Sequence, residues 1–285
     1  MSSLRRLAST VVRPVIERAA RAYIAGPELD DALKIACGLH TRGYSAAIGY
    51  WDAANEAPRG VADAYLQAIS CMAGGTLDCY VSIKLPALDY SRDLLEEVLA
   101  SAMSANVRVH FDSLGPETVD RSFALIDRVV PHYSNLSVTL PGRWHRSLRD
   151  AVWARERNLP IRIVKGQWAD ESGLDPDAGF LALVKSLAGN IPRLAVASHN
   201  PTLARECFKS LERAGTQGEM ELLHGLPSQA VLATAREMNL PVRVYVPYGH
   251  AWLPYCISQA QKNPTILWRT LKDAVFGGDV LVDPR

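Results

Sequence analysis

Long apolar runs are missing from this sequence of 285 residues, and no stretch is uninterrupted enough to span a bilayer as a helix. Net charge is missing too. The 31 lysines and arginines meet 30 aspartates and glutamates, a balance that argues against a nucleic-acid partner. Cysteine is scarce: Cys37, Cys71, Cys79, Cys207 and Cys256 are odd in number and lack C-x-x-C spacing. They read as thiols of a reducing compartment, the cytoplasm, rather than as a disulfide framework. Neither G-x-G-x-x-G nor G-K-S/T occurs, so the phosphate turn of an open nucleotide-binding sheet is excluded. The H-x-H and H-E-x-x-H spacings that set two metal ligands at once are also absent. No internal repeat, low-complexity tract or linker interrupts the chain.

What is present is an ordinary globular composition, 48% hydrophobic and 21% charged. The first 26 residues, rich in arginine with Glu17 the one acid, read as a helical segment that packs on a main domain over 27–285. Short β-branched runs then recur: Ser45–Tyr50, Cys79–Leu85, Val107–Phe111, Leu136–Leu140, Pro160–Val164, Leu194–Ala197, Glu219–Leu223 and Val242–Val246. Helical stretches lie between them. One opens on Ser91 and ends at Asn106, one starts at Pro116 and stops before Pro131, and one runs from Pro201 to Gly215. Strands alternating with helices imply parallel pairing through right-handed crossovers. Eight such units in one domain predict a closed (β/α)8 barrel rather than an open sheet. After Val246, Pro247 and Gly249 are expected to break the last strand, and an amphipathic helix follows near the barrel mouth.

In such barrels the functional groups sit at the C-terminal strand ends. Those positions hold Lys84, His110 and Asp112, Pro141 to Arg143, Lys165 with Trp168, His199 and Asn200, His224, and Tyr245 with Tyr248. Two chemistries fit. His110, Asp112, His199 and His224 would suit a divalent metal for hydrolysis. Alternatively Arg162, Lys165, Trp168 and Tyr245 would suit a planar cofactor and its phosphates across the mouth.

The stretch from Arg243 to Tyr255, "RVYVPYG-x-x-W-x-P-Y", resembles the C-terminal signature of the proline dehydrogenase family. "VSIKLPAL" from Val81, "IRIVKGQW" from Ile161, "ASHN" from Ala197, "ELLHGL" from Glu221 and "NPTILWRTLKDAVFG" from Asn263 match further blocks in the same order. The resemblance runs from Arg21 to Gly277. It implies a flavin-dependent (β/α)8 barrel in which FAD lies on the C-terminal rim and takes a hydride from the carbon beside the substrate nitrogen. It places Arg162, Lys165, Gly166, Ser198, His199, Asn200 and Glu221 at the cofactor. Lys84, Trp168, Leu223, Tyr245, Tyr248 and Tyr255 would line the substrate pocket.

The departures are informative. Two arginines that hold the proline carboxylate in the family are Ser258 and Gln259 here. The family's pocket aspartate is His110, its glutamine after the fourth strand is Pro141, and Glu221 and Lys262 replace a glutamine and an acid. The implied substrate is a cyclic or secondary amine, or a prolyl group masked as an amide or carrier thioester, rather than free proline. His110, Lys84 and Tyr245 would carry the catalysis, with His110 in the mouth as proton acceptor. The reduced cofactor would pass its electrons to oxygen, a quinone or another protein. A catalytically inactive binding barrel is the alternative that the lost arginines favour.

Overall fold

In a computed structural model of the chain, residues 25–53 and 55–250 are described. Eight strands form a closed barrel: β1 (Ser45–Trp51), β2 (Cys79–Ile83), β3 (Val109–Phe111), β4 (Leu136–Pro141), β5 (Ile161–Val164), β6 (Arg193–Ala197), β7 (Gln217–Leu223) and β8 (Val242–Gly249). Each pairs in parallel with the next, and β8 closes on β1 through the register Ala47↔Tyr245. Helix α1 (Leu29–His40) precedes β1. The crossovers are α2 (Pro58–Met72), α3 (Arg92–Ser104), α4 (Val119–Val129), α5 (Ser147–Glu156), α6 (Pro176–Leu187), α7 (Pro201–Arg213) and α8 (Gln229–Glu237). The (β/α)8 expectation therefore holds. Residues 1–24 of the N-terminal helical segment expected over 1–26, and the expected C-terminal helix, lie outside the described residues, and among the described residues no helix is long and apolar enough to cross a membrane.

Local chemistry sets the boundaries. Ser91 accepts from the Leu94 amide at 3.3 Å to start α3, and Asp175 accepts from Ala178 at 2.8 Å to start α6. Asn106, Asn158 and Asn239 adopt positive φ where α3, α5 and α8 give way to the next strand. β2 stops at Ile83 rather than Leu85 because Pro86 opens a 3₁₀ turn over Leu85–Leu88. β8 runs through Pro247, contrary to the expected break. The Tyr245 carbonyl faces β7 and accepts from His224, and Pro247 is on the same edge, beyond the end of β7. There its carbonyl accepts from Ala25 at 3.0 Å, so the missing N–H costs no ladder bond.

The strands alternate with a clean division of labour. Ile48, Val81, Ile83, Val138, Leu140, Ile163, Val196, Met220, Val244 and Val246 are buried against the helices. The opposite face, which in most such barrels is packed with branched apolar residues, here carries Tyr80, Ser82, His110, Ser137, Thr139, Arg162, Glu219, Glu221 and Arg243. Two arginines organise it. Near the N-terminal strand ends, Arg243 (1% exposed) donates to both Asp78 oxygens at 3.0 Å, to Glu219 at 3.1 and 3.2 Å, and to the Ala46 carbonyl at 2.8 Å. Arg162 organises the other end.

Gly49 makes room for this interior. A Cβ there would stand 2.0 Å from the Tyr245 hydroxyl and 2.5 Å from its ring carbon. Gly49→Ala is expected to destabilise the fold by about 1–3 kcal/mol in urea titration, the range for overpacking. Adding Tyr245→Phe should return part of that loss, because the hydroxyl is the closer of the two clashes.

Candidate active site

Arg162 on β5 is 5% exposed, yet four of its five N–H donors have partners. Nε donates to Thr139 Oγ1 at 3.1 Å, Nη1 to Glu221 Oε2 at 3.2 Å and to the Tyr80 hydroxyl at 3.4 Å, and Nη2 to Asp112 Oδ1. Burial works against its charge, but the surrounding Tyr80, Asp112 and Glu221 outweigh that, and its pKa is raised. Each partner is itself fixed. Tyr80 donates to Glu221 Oε1 at 2.7 Å, and Tyr245 donates to Asp112 Oδ2 at 3.1 Å while accepting from the Trp51 indole at 3.3 Å.

Lys84 follows β2 with its side chain 13% exposed. Its ammonium donates to the Tyr50 carbonyl, lies 3.8 Å from Asp52 and stands 5.8 Å from the Trp51 ring. Burial lowers its pKa, and the carboxylates of Asp112 and Asp52 only partly offset the shift.

His110 is placed differently from the expectation. It is 2% exposed, inside the barrel, with Nδ1 at 2.7 Å from Ser137 Oγ and Nε2 at 2.6 Å from Thr139 Oγ1. Thr139 already accepts from Arg162, so its own hydrogen is directed to Nε2, and Nδ1–H donates to Ser137. Burial, then Arg162, Arg108 and Arg243, hold the His110 pKa well below the usual histidine range. A neutral ring with both nitrogens engaged has no lone pair to offer a substrate in the mouth. Tyr248 also departs from the expectation. It is 3% exposed, packs on Tyr50 at 5.2 Å and donates to the Ala64 carbonyl of α2, outside the barrel.

The residues assigned to a cofactor line the rim after β5, β6 and β7. Lys165 is half exposed and pairs with Asp177 at 2.6 Å. Gly166 has φ +91°, and a Cβ there would meet Pro141 at 2.8 Å. Asn200 caps α7, its Oδ1 accepting from Thr202 and Leu203, and Ser198 accepts from the Asn200 amide at 3.1 Å. His199 is held between the Pro227 carbonyl at 3.0 Å and the Leu223 amide at 2.9 Å, and burial lowers its pKa. Trp168 is 39% exposed, and its carbonyl accepts from the Trp144 indole at 2.7 Å. Arg143 donates to the Gly166 and Gln167 carbonyls, which fixes the same loop. Tyr255, Ser258 and Gln259 lie outside the described residues.

The four metal candidates do not converge. His110, Asp112, His199 and His224 form no cluster, and among the described residues no group of three histidine, cysteine or acidic side chains could hold an ion. Trp51, Tyr80, Ser137 and Thr139 were not anticipated as parts of the site. The signal for the last three was the polar side of the strand alternation, residues 80 and 82 on β2 and 137 and 139 on β4.

No protein-family model matches the chain. Among curated proteins, proline dehydrogenase 1 of Bacillus subtilis strain 168 is 25% identical over 265 residues, 86% of this chain and 87% of the relative. Proline dehydrogenase of Deinococcus radiodurans is 22% identical over 88% of this chain and 91% of its own length. Over most of its length the chain is similar to these proline dehydrogenases. Among solved structures, proline utilization A of Bdellovibrio bacteriovorus, inactivated by N-propargylglycine, superposes with a TM-score of 0.77 at 18% identity over 96% of this chain. The Corynebacterium freiburgense proline utilization A gives 0.71 at 16% identity over the whole chain. This chain spans 36% of each of those longer proteins, and likeness at such identity is a likeness of fold.

His110 links the site to pH. An unfolded chain takes up its proton near pH 6.5, whereas the folded ring resists until well below. Between the two values the unfolded state binds more protons, so this contribution is intact above pH 6.5 and is lost as pH falls. His199, also lowered, acts in the same direction. The melting temperature should fall between pH 7.5 and 5.5, and His110→Gln, which cannot titrate, should flatten that fall in a thermal scan.

Proposed function

We propose that the protein is an FAD-dependent oxidoreductase of the proline dehydrogenase type that oxidises a C–N bond of a cyclic or secondary amine. The observation that supports this most is that the kinship extends over 86% of the chain while Arg162, inside the matching block from Ile161, stands at the centre of the mouth. The rim also fits the cofactor. Lys165, Ser198 and Asn200 put a cation, a hydroxyl and an amide at the ends of neighbouring strands beside the start of α7, a donor set suited to phosphates. Among the described residues, one N–H of Arg162 has no hydrogen-bond acceptor and is open to a ligand.

Arg162, Lys165, Gly166, Ser198, His199, Asn200 and Glu221 would hold FAD, which when bound accepts a hydride from the carbon beside the amine nitrogen. The chain's own work is positional. Trp168, Leu223 and Tyr245 wall the substrate. Tyr245 fixes Asp112, and Lys84, whose burial favours its neutral form, takes the amine proton. His110 is a positioning residue that orients Thr139 and, through it, Arg162.

Free proline is not the favoured substrate. Ser258 and Gln259 present no guanidinium fork, and losing one partner of a desolvated charge pair costs about 2–5 kcal/mol. A proline whose carboxylate is masked as an amide or a carrier thioester avoids that loss. Electrons would leave to oxygen, a quinone or another protein.

Purified protein should bind FAD in a fluorescence or absorbance titration, and Lys165→Ala should weaken binding about three- to fivefold, since the ammonium is half exposed. Absence of flavin binding by the wild type would overturn the reading. In stopped flow, L-prolinamide should bleach the bound flavin faster than L-proline. Proline reacting faster would show that a cation of this chain has taken over the carboxylate.

A further inference from the structure

Trp51 stands where the barrel closes. It is the last residue of β1, in register with Gly249 of β8, and its carbonyl accepts from the His250 amide at 2.9 Å. Gly249 has φ +113°, and a Cβ there would lie 2.5 Å from that carbonyl oxygen, so glycine alone lets the two strand ends meet. The Trp51 backbone is thereby fixed against the strand that carries Tyr245. Its half-buried side chain reaches both residues to which the chemistry falls. The indole N–H donates to the Tyr245 hydroxyl oxygen at 3.3 Å, and the ring lies 5.8 Å from the Lys84 ammonium.

The direction of that hydrogen bond follows from the groups themselves. An indole has one donor and no acceptor, so the Tyr245 oxygen accepts from it. Burial and then the Asp112 charge raise the Tyr245 pKa well above the usual phenol range, and the hydroxyl keeps its one hydrogen. That hydrogen must point away from the indole, and it goes to Asp112 Oδ2 at 3.1 Å. The other Asp112 oxygen accepts from Arg162. A single line of donors therefore runs from Trp51 on β1 through Tyr245 on β8 and Asp112 after β3 to Arg162 on β5. A hydroxyl that accepts one bond donates the next more strongly, so the first donor steadies the whole line. We propose that Trp51 is a positioning residue, whose N–H sets the Tyr245 hydroxyl on Asp112 and so holds the Asp112–Arg162 pair in its working orientation. This rests on the amine-oxidising reading above and adds to it the residue that aligns the mouth. Without the indole N–H, the Tyr245 hydrogen is free to turn and Asp112 loses a fixed donor.

Trp51→Phe keeps an aromatic ring at the end of β1 and deletes the N–H. In stopped flow it is compared with the wild type, using whichever of L-proline and L-prolinamide bleaches wild-type flavin faster. The limiting rate should fall about fivefold, the size expected for one lost hydrogen bond. The amine concentration giving half that rate should change less than about twofold, and so should FAD affinity, because the N–H touches neither ligand. Tyr245→Phe removes the same bond from its other end. Adding Trp51→Phe to it should therefore cost less than about a further twofold. An unaltered limiting rate in Trp51→Phe overturns the proposal, as do fully multiplying effects in the double variant. FAD binding weakened about tenfold or more in Trp51→Phe also overturns it, since Trp51 would then belong to the cofactor site. Should Trp51→Phe fail to fold, exchange of the 15N-labelled Trp51 indole hydrogen decides. It should quicken about tenfold or more in Tyr245→Phe, and equal exchange in the two proteins overturns the proposal. Wild-type protein that takes up no FAD, or whose flavin neither amine bleaches, rejects the oxidising reading and the positioning role with it. A bleached flavin with Trp51→Phe at the wild-type rate rejects the positioning role alone.

Discussion

A buried guanidinium is the constraint around which the interior is arranged. Moving one ion out of water costs several kcal/mol even after relaxation, and only complete pairing returns it. Arg162 obtains that pairing from Asp112 on the β3 side, Glu221 on β7, Thr139 on β4 and Tyr80 on β2. Each of these is steadied by a neighbour: Thr139 by His110, Tyr80 by Glu221, and Asp112 by Tyr245. Tyr245 in turn needs the bare backbone of Gly49. Removing one carboxylate would leave a charge buried without its partner, a loss of about 3–5 kcal/mol. Specific residues at the mouth are therefore tied to the stability of the barrel as well as to its chemistry.

The same network separates what the sequence disclosed from what it hid. The eight strands were visible because their outward residues, such as Val244 and Val246 or Val81 and Ile83, are β-branched and alternate. The cap at Ser91, the helix start at Pro201 and the stop at Gly215 were visible because these residues act on the backbone locally. Pro247 misled, because whether a proline ends a strand depends on whether the neighbouring strand still runs beside it. His110 misled for a similar reason. Strand position puts it on the inner face, but only the spatial neighbours Ser137 and Thr139 determine that its nitrogens are taken. Tyr248 obeyed the alternation that placed it outside, next to an inward Tyr245, and proximity in sequence obscured that.

The rim is fastened rather than loose. Arg143 and the Trp144 indole bind carbonyls of the loop after β5, and the His145 amide donates to Asp170 at 2.8 Å. Gly142 and Gly179 pack backbone to backbone, where a Cβ on Gly179 would stand 2.1 Å from the Gly142 carbonyl oxygen. A loop held at this many points keeps Lys165 and Trp168 in register with the barrel, so a bound molecule meets preorganised groups rather than ones it must gather.

The second arginine carries a different consequence, one about how the chain is made. Arg243 ties the last strand to Asp78 and to the Ala46 carbonyl, contacts that span 165 and 197 residues of sequence. Such distant closures form late, and synthesis delivers the N-terminal strands first. Until β8 emerges from the ribosome, the unfinished sheet shows solvent a face bearing Asp78, Arg162, Glu219 and Glu221. An apolar lining exposed at that stage would invite association with other half-made chains. A charged one stays wetted while it waits. The polar interior is therefore a face that water can wet until the last strand closes the barrel.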